Sequence, residues 1–196
     1  MARTIILTGI PGVGKTTILN ELQKLAKEKG IKLTVLNYGT VMKNELFKKY
    51  GRKIGRDEIR RQQISIQKKI QNRAAQILAR KTKSPITIID THMFIKTKTG
   101  LWSGLPESVL SRLKPSLMVL VEAPPEEIVR RRRSDATRMR DDFAMEEVEF
   151  DLEWSRATAS ACAVHTGAPV KIICNQAGKQ REAAEELFKL ITELTG

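Results

Sequence analysis

Apolar residues along this chain fall into two rhythms that alternate from one end to the other. Short, largely apolar runs stand at 4–8, 32–37, 86–90, 117–122 and 170–174. Between them, apolar residues recur every three or four positions, as in Leu19, Leu22 and Leu25, and again in Ile59, Ile66, Ile70, Ala74 and Ile77. Consecutive apolar positions suit a strand covered on both faces, whereas the wider spacing is the buried stripe of a helix. Helices are therefore predicted over 14–29, with Gly30 as the stop, over most of 41–80, from Pro106, from Pro125, over 143–163, and at the C-terminus to about residue 194. The stretch between Asp90 and Leu105 is polar, contains glycine, and reads as a loop. Strands separated by helices build a parallel sheet with helices on both of its faces, so the fold class is α/β. At 196 residues the chain fits a single domain, 1–196.

Composition changes this picture only at the surface. No stretch approaches the roughly 20 apolar residues that cross a bilayer, and Met1-Ala2-Arg3-Thr4 leads straight into the first strand without the order of a signal peptide. A cytoplasmic protein away from membranes is the expectation. The formal charge of +13 suits a polyanionic partner. Lys24, Lys27, Lys29 and Lys32 sit where solvated helix faces are expected, and 5% aromatic residues leave no stacking ladder for single-stranded nucleic acid. Cys162 and Cys174 lack metal-ligand spacing and read as buried thiols. Trp154 is assigned to core packing, Trp102 to the wall of a site, and His165 to a helix C-terminus.

The chemistry begins at Gly9, Ile10, Pro11, Gly12, Val13, Gly14, Lys15 and Thr16, a GxxxxGK[ST] pattern between the first strand and the first helix. Glycines let the backbone curl so that its amides face phosphate oxygens, and the helix N-terminus adds a positive end. Lys15 is then placed for the β and γ phosphates of a nucleoside triphosphate, and the Thr16 hydroxyl for magnesium. Asp90 ends an apolar strand, where an acid orients Mg²⁺ directly or through water. His92 falls in the substrate neighbourhood.

Six of the eleven residues from 130 to 140 are arginine. The planar guanidinium suits a transferring phosphoryl group, and Arg138 and Arg140, beyond the helix, are the candidates for a closing lid over 131–142. A basic patch for RNA is the competing reading of the same block. An [NT]KxD motif, which a GTPase would carry, does not occur near the fourth or fifth strand. A small kinase remains, with its acceptor site in the helical segment 38–80.

The chain resembles archaeal-type adenylate kinases through GIPGVGKTT, Asn37-Tyr38-Gly39, Arg56-Asp57-Glu58-x-Arg60, Ile89-Asp90-Thr91-His92, Gly104-Leu105-Pro106, the arginine block, and Arg156-Ala-Thr-Ala-Ser160. The resemblance implies a three-layer P-loop NTPase fold, five strands in the order 2-3-1-4-5, a helical monophosphate-binding segment and a short lid. It implies ATP on residues 9–17, Thr17 included, and AMP beside Tyr38, Gly39, Arg60, His92 and Lys96. It also implies phosphoryl-group contacts from Lys15, Arg138, Arg140 and Arg156, and a homotrimer. Relatives tend to carry arginine where this chain has Lys96, which keeps the charge and loses the fork. The expected reaction is Mg²⁺-dependent transfer between ATP and AMP. A kinase for CMP or UMP, and an ATPase of ribosome or RNA maturation, are the alternatives.

Overall fold

The computed structural model of the chain describes residues 3–51, 63–82, 84–97, 100–134 and 144–194. Among the described residues seven strands are formed: β1 (Arg3–Thr8), β2 (Leu33–Asn37), β3 (Ile86–Asp90), β4 (Phe94–Thr97), β5 (Gly100–Ser103), β6 (Leu117–Glu122) and β7 (Val170–Cys174). Five of them make one parallel sheet in the order β2-β3-β1-β6-β7, while β4 and β5 pair as a separate antiparallel ribbon. The helices are α1 (Lys15–Glu28), α2 (Tyr38–Tyr50), α3 (Ile64–Lys81), α4 (Glu107–Leu113), α5 (Pro125–Ser134), α6 (Met145–Thr166) and α7 (Gln180–Glu193). The sheet order agrees with the expected one, its fourth and fifth members being β6 and β7.

Side-chain alternation along the strands explains the largely apolar runs. Ile5, Leu7, Ile88 and Val119 enter one core with Ile18, Leu19 and Leu22 of α1, Ile128 of α5 and Leu187 of α7. Ile6, Ile89, Met118 and Leu120 enter a second core with Met42 and Leu46 of α2, Ala74 and Leu78 of α3, Leu110 of α4 and Ala159 of α6. Both sides of each central strand are thus covered, and apart from Thr87 in β3 the polar side chains stand toward the strand ends. Those ends carry Thr8, Asn37, Asp90 and Glu122, all along the carboxyl edge, where ligands of open parallel sheets are held.

Three expectations need correction. The segment after Asp90 is a hairpin with Phe94 opposite Ser103 and Ile95 opposite Trp102. Its register is held from outside, since the buried Gln71 of α3 donates to the Ser103 carbonyl at 3.1 Å and accepts from Trp102 Nε1 at 3.3 Å. Trp154 is 44% exposed and pairs with Phe150 on the outer side of α6, because that helix is apolar on two opposite faces and only one meets the core. Cys162 is buried as expected, but Cys174 is exposed on the edge strand β7.

Tyr38 opens α2, and its ring lies in the second core with its hydroxyl donating to the Gln71 carbonyl at 2.7 Å. Burial raises its phenol well above the ordinary tyrosine value. The unfolded phenol ionises near pH 10 and the folded one only at higher pH. This stabilising preference for the protonated form is therefore complete below about pH 10 and is lost as the pH climbs above it. Urea unfolding at a series of alkaline pH values should show a flatter loss of stability for Tyr38→Phe above about pH 10, after a cost near neutrality of about 1 kcal/mol for the missing hydrogen bond.

Candidate active site

The loop of residues 9–14 leaves β1 and turns into α1. Gly14 has a φ of 86°, and a Cβ there would collide with the Asn175 side-chain amide, so only glycine fits the turn. The loop is held from behind by its own carbonyls. Arg132 Nε donates to the Pro11 oxygen at 2.9 Å, Arg131 donates to Gly12 and Val13, and Asn175 Nδ2 donates to Val13 at 2.8 Å. In a trans peptide the N–H points opposite to its C=O. With the carbonyls of Pro11 and Val13 turned toward these donors, the amides of Gly12 and Gly14 point away from them, as an anion cradle requires.

Lys15 is the first residue of α1 and is largely buried. Its ammonium donates to the Gly9 carbonyl at 2.8 Å and stands 3.5 Å from His92 Nδ1, which itself lies 3.1 Å from the same carbonyl. His92 and the phosphate-loop lysine are therefore neighbours, brought together by the parallel pairing of β1 and β3. Thr16 and Thr17 are exposed on the first turn of α1.

Asp90 shows what a metal would meet. Asn37 and Asp90 are register partners across β2 and β3, and the Asn37 amide donates to Asp90 Oδ2 at 2.6 Å. Asp90 Oδ1 is buried and has no hydrogen-bond partner among the described residues. A buried carboxylate oxygen left over on the carboxyl edge fits a hydrated cation, since such an atom otherwise carries an uncompensated desolvation cost. No group of three or more metal-ligating His, Cys, Asp or Glu occurs among the described residues.

Beside the loop runs a cleft lined by Gly9, Ile10 and Pro11, by His92 to Lys96, and by Arg132, Asp151 and Ser155. Lys96, on β4, sets its ammonium 3.1 Å from Asp151 Oδ1. The hairpin thus carries one of the cleft's cations.

The remaining expected residues distribute unevenly. Arg156 is on α6 as expected, with its fork closed on Glu122 at 2.8 and 2.6 Å, and this carboxylate raises its pKa further. It sits at the end of β6 and does not line the cleft. Gly39 is half-buried in the first turn of α2, but the Tyr38 side chain is committed to the core and has only its backbone to offer a ligand. Arg60, Arg138 and Arg140 lie outside the described residues, as does most of the expected lid.

Arg131, Arg132, Asp151 and Asn175 are site residues that the sequence did not single out. Within four consecutive arginines nothing marks the two that turn inward, although Asn175, polar and directly after an apolar strand, carried the same signal as Asp90.

A phosphate cradle at a helix N-terminus, its lysine, and an acid on the neighbouring strand define a P-loop nucleotide-binding protein. A family model described as an AAA domain matches residues 8–149, and a shikimate kinase structure from Bacteroides thetaiotaomicron superposes with a TM-score of 0.57 at 16% identity, covering 97% of this chain and 98% of that one. The chain belongs to the adenylate kinase family: it is 43% identical to the adenylate kinase of Thermoplasma acidophilum over 95% of this chain and 97% of that one. It is also 39% identical to that of Methanocaldococcus jannaschii, over 96% and 98%.

Proposed function

We propose that this chain transfers the γ-phosphoryl group of ATP to AMP, reversibly, giving two ADP. The observation that carries the reading is that the phosphate loop and the hairpin cation Lys96 line one cleft, which suits two phosphorylated ligands meeting end to end. The acceptor is an ionised phosphate, so no side chain has to remove a proton from it. What the residues contribute is alignment and charge. Amides of the 9–14 loop and Lys15 hold the donor phosphates, Lys96 draws the acceptor phosphate, and His92 borders the space between them.

Thr16 and Asp90 are the residues that would hold Mg²⁺, which when bound neutralises charge on the donor phosphates. The reading extends to closure by Arg138, Arg140 and Arg156, with Arg60 and Gly39 on the acceptor side. It also extends to a trimer, carried by resemblance to the family, and to the cytoplasm, the expectation drawn from the sequence.

Incubation of Mg-ATP with AMP, CMP, UMP or no acceptor, with ADP followed in time, tests it. Rapid ADP formation with AMP alone is expected. Equal or faster turnover of CMP or UMP would change the acceptor, and hydrolysis indifferent to AMP but stimulated by RNA would replace the kinase reading altogether.

A further inference from the structure

Asp151 is an acid in a place meant for anions. It lies on α6 with its side chain 5% exposed, and it faces two cations from two other elements. Its Oδ2 is 3.3 Å from Arg132 of α5, whose side chain is 4% exposed and whose Nε also donates to the Pro11 carbonyl of the phosphate loop. Its Oδ1 is 3.1 Å from the ammonium of Lys96 on β4, and Glu147, one turn earlier on α6, stands 3.7 Å from the same ammonium. One carboxylate therefore ties together the wall of the phosphate loop, the hairpin and α6.

We infer that Asp151 is the positioning residue of the acceptor half of the cleft, holding Lys96 where the phosphate of the monophosphate substrate arrives. The inference rests on the proposed function. A lysine ammonium is a point charge on a flexible stem and, unlike an arginine fork, does not fix its own approach to phosphate. A buried carboxylate that is itself braced by Arg132 supplies that direction. With Glu147 included the four charges cancel, so the pull on an anion comes from the Lys96 ammonium itself, part-exposed at the cleft beside the phosphate loop, and not from a net positive charge of the group. The arriving phosphate takes over the ammonium at close range, while the pair between Asp151 and Arg132 stays in place.

Two effects follow for Asp151→Asn. The cleft becomes more positive, so KM for AMP should hold or fall. Lys96 loses its direction, so kcat should drop about tenfold, with KM for ATP unchanged. A merely structural role would show as a lowered melting temperature and less active protein with both KM values intact.

The decisive experiment is a double-mutant cycle with Lys96→Met, read as kcat/KM for AMP. If Asp151 acts through Lys96, the double variant is no slower than Lys96→Met alone; multiplying effects would overturn the inference. Removing one partner of a buried pair can unfold a protein, whereas removing both is often tolerated. Should Asp151→Asn fail to fold, the cycle is run in Arg132→Met/Asp151→Asn, where adding Lys96→Met should cost several-fold less in kcat/KM than it costs in the unmodified protein. A full Lys96 effect in that background would again overturn it. If the unmodified protein does not turn over AMP at all, the functional reading fails and this inference fails with it. If AMP is turned over and the cycle is multiplicative, only the inference about Asp151 fails.

Discussion

Lys15→Met should lower turnover by about 10²–10³-fold while the protein remains folded. The lysine is the first residue of α1, and its ammonium rests on the Gly9 carbonyl, a contact that parks the charge at the mouth of the phosphate loop. Methionine keeps the length and apolar stem of the side chain, so the packing around this largely buried position changes little. What is lost is a cation whose attraction grows as charge moves toward the bridging oxygen, an interaction stronger in the transition state than in the ground state. Loss of kcat should therefore exceed loss of ATP affinity, measured by steady-state kinetics beside calorimetric ATP binding. Turnover within a few-fold of the unmodified protein, with a normal melting temperature, would remove Lys15 from the machinery.

Asp90→Asn should have the next largest effect, a fall in kcat of about 10²-fold together with a raised Mg²⁺ requirement. The substitution is nearly isosteric, and the Asn37 amide can still donate to the remaining side-chain oxygen. The buried position of Oδ1 would then present an amide N–H in place of a carboxylate oxygen, a donor where a hydrated cation needs an acceptor. Binding of ATP without metal gives the independent readout. It should be unchanged or slightly tighter, since one negative charge has left the carboxyl edge. Equal Mg²⁺ dependence in the two proteins would refute the assignment, whatever their absolute rates.

The two substitutions separate the contributions to the donor side. Lys15 acts from the helix end and Asp90 from the neighbouring strand, and they meet only because β1 and β3 are parallel and in register, with Leu7 beside Asp90. The same edge carries Glu122 at the end of β6, where it holds Arg156. The sheet therefore arranges the donor-side chemistry as a row of strand ends, and the hairpin adds Lys96 from outside the row.

What was legible in the sequence alone is what depends on near neighbours along the chain. Buried parallel strands are largely apolar, so β1, β3 and β6 announced themselves almost to the residue, and the edge strand β7 did so although only Ile173 of it is buried. The phosphate loop is a local device as well, eight residues whose glycines, lysine and threonine must stand at fixed spacing. Even Asp90 could be found by its place at the end of an apolar run. The hairpin of β4 and β5 escaped because each strand has only four residues, and its register depends on Gln71, about thirty positions earlier. Trp154 was misplaced because a helix with two apolar faces does not state which one meets the core.

Tertiary structure alone decided which arginines brace the phosphate loop. Arg132 reaches Pro11 across 121 positions, and Asn175 reaches Val13 across 162. No periodicity connects residues so far apart; they meet because α5 and the end of β7 are carried to the carboxyl edge by the order of the strands. The sequence could show that arginines were abundant after β6. Only the fold could select Arg131 and Arg132 for the loop and set Asp151 between Arg132 and Lys96. A charge's role is fixed by the few ångströms around it, and those neighbours come from other elements.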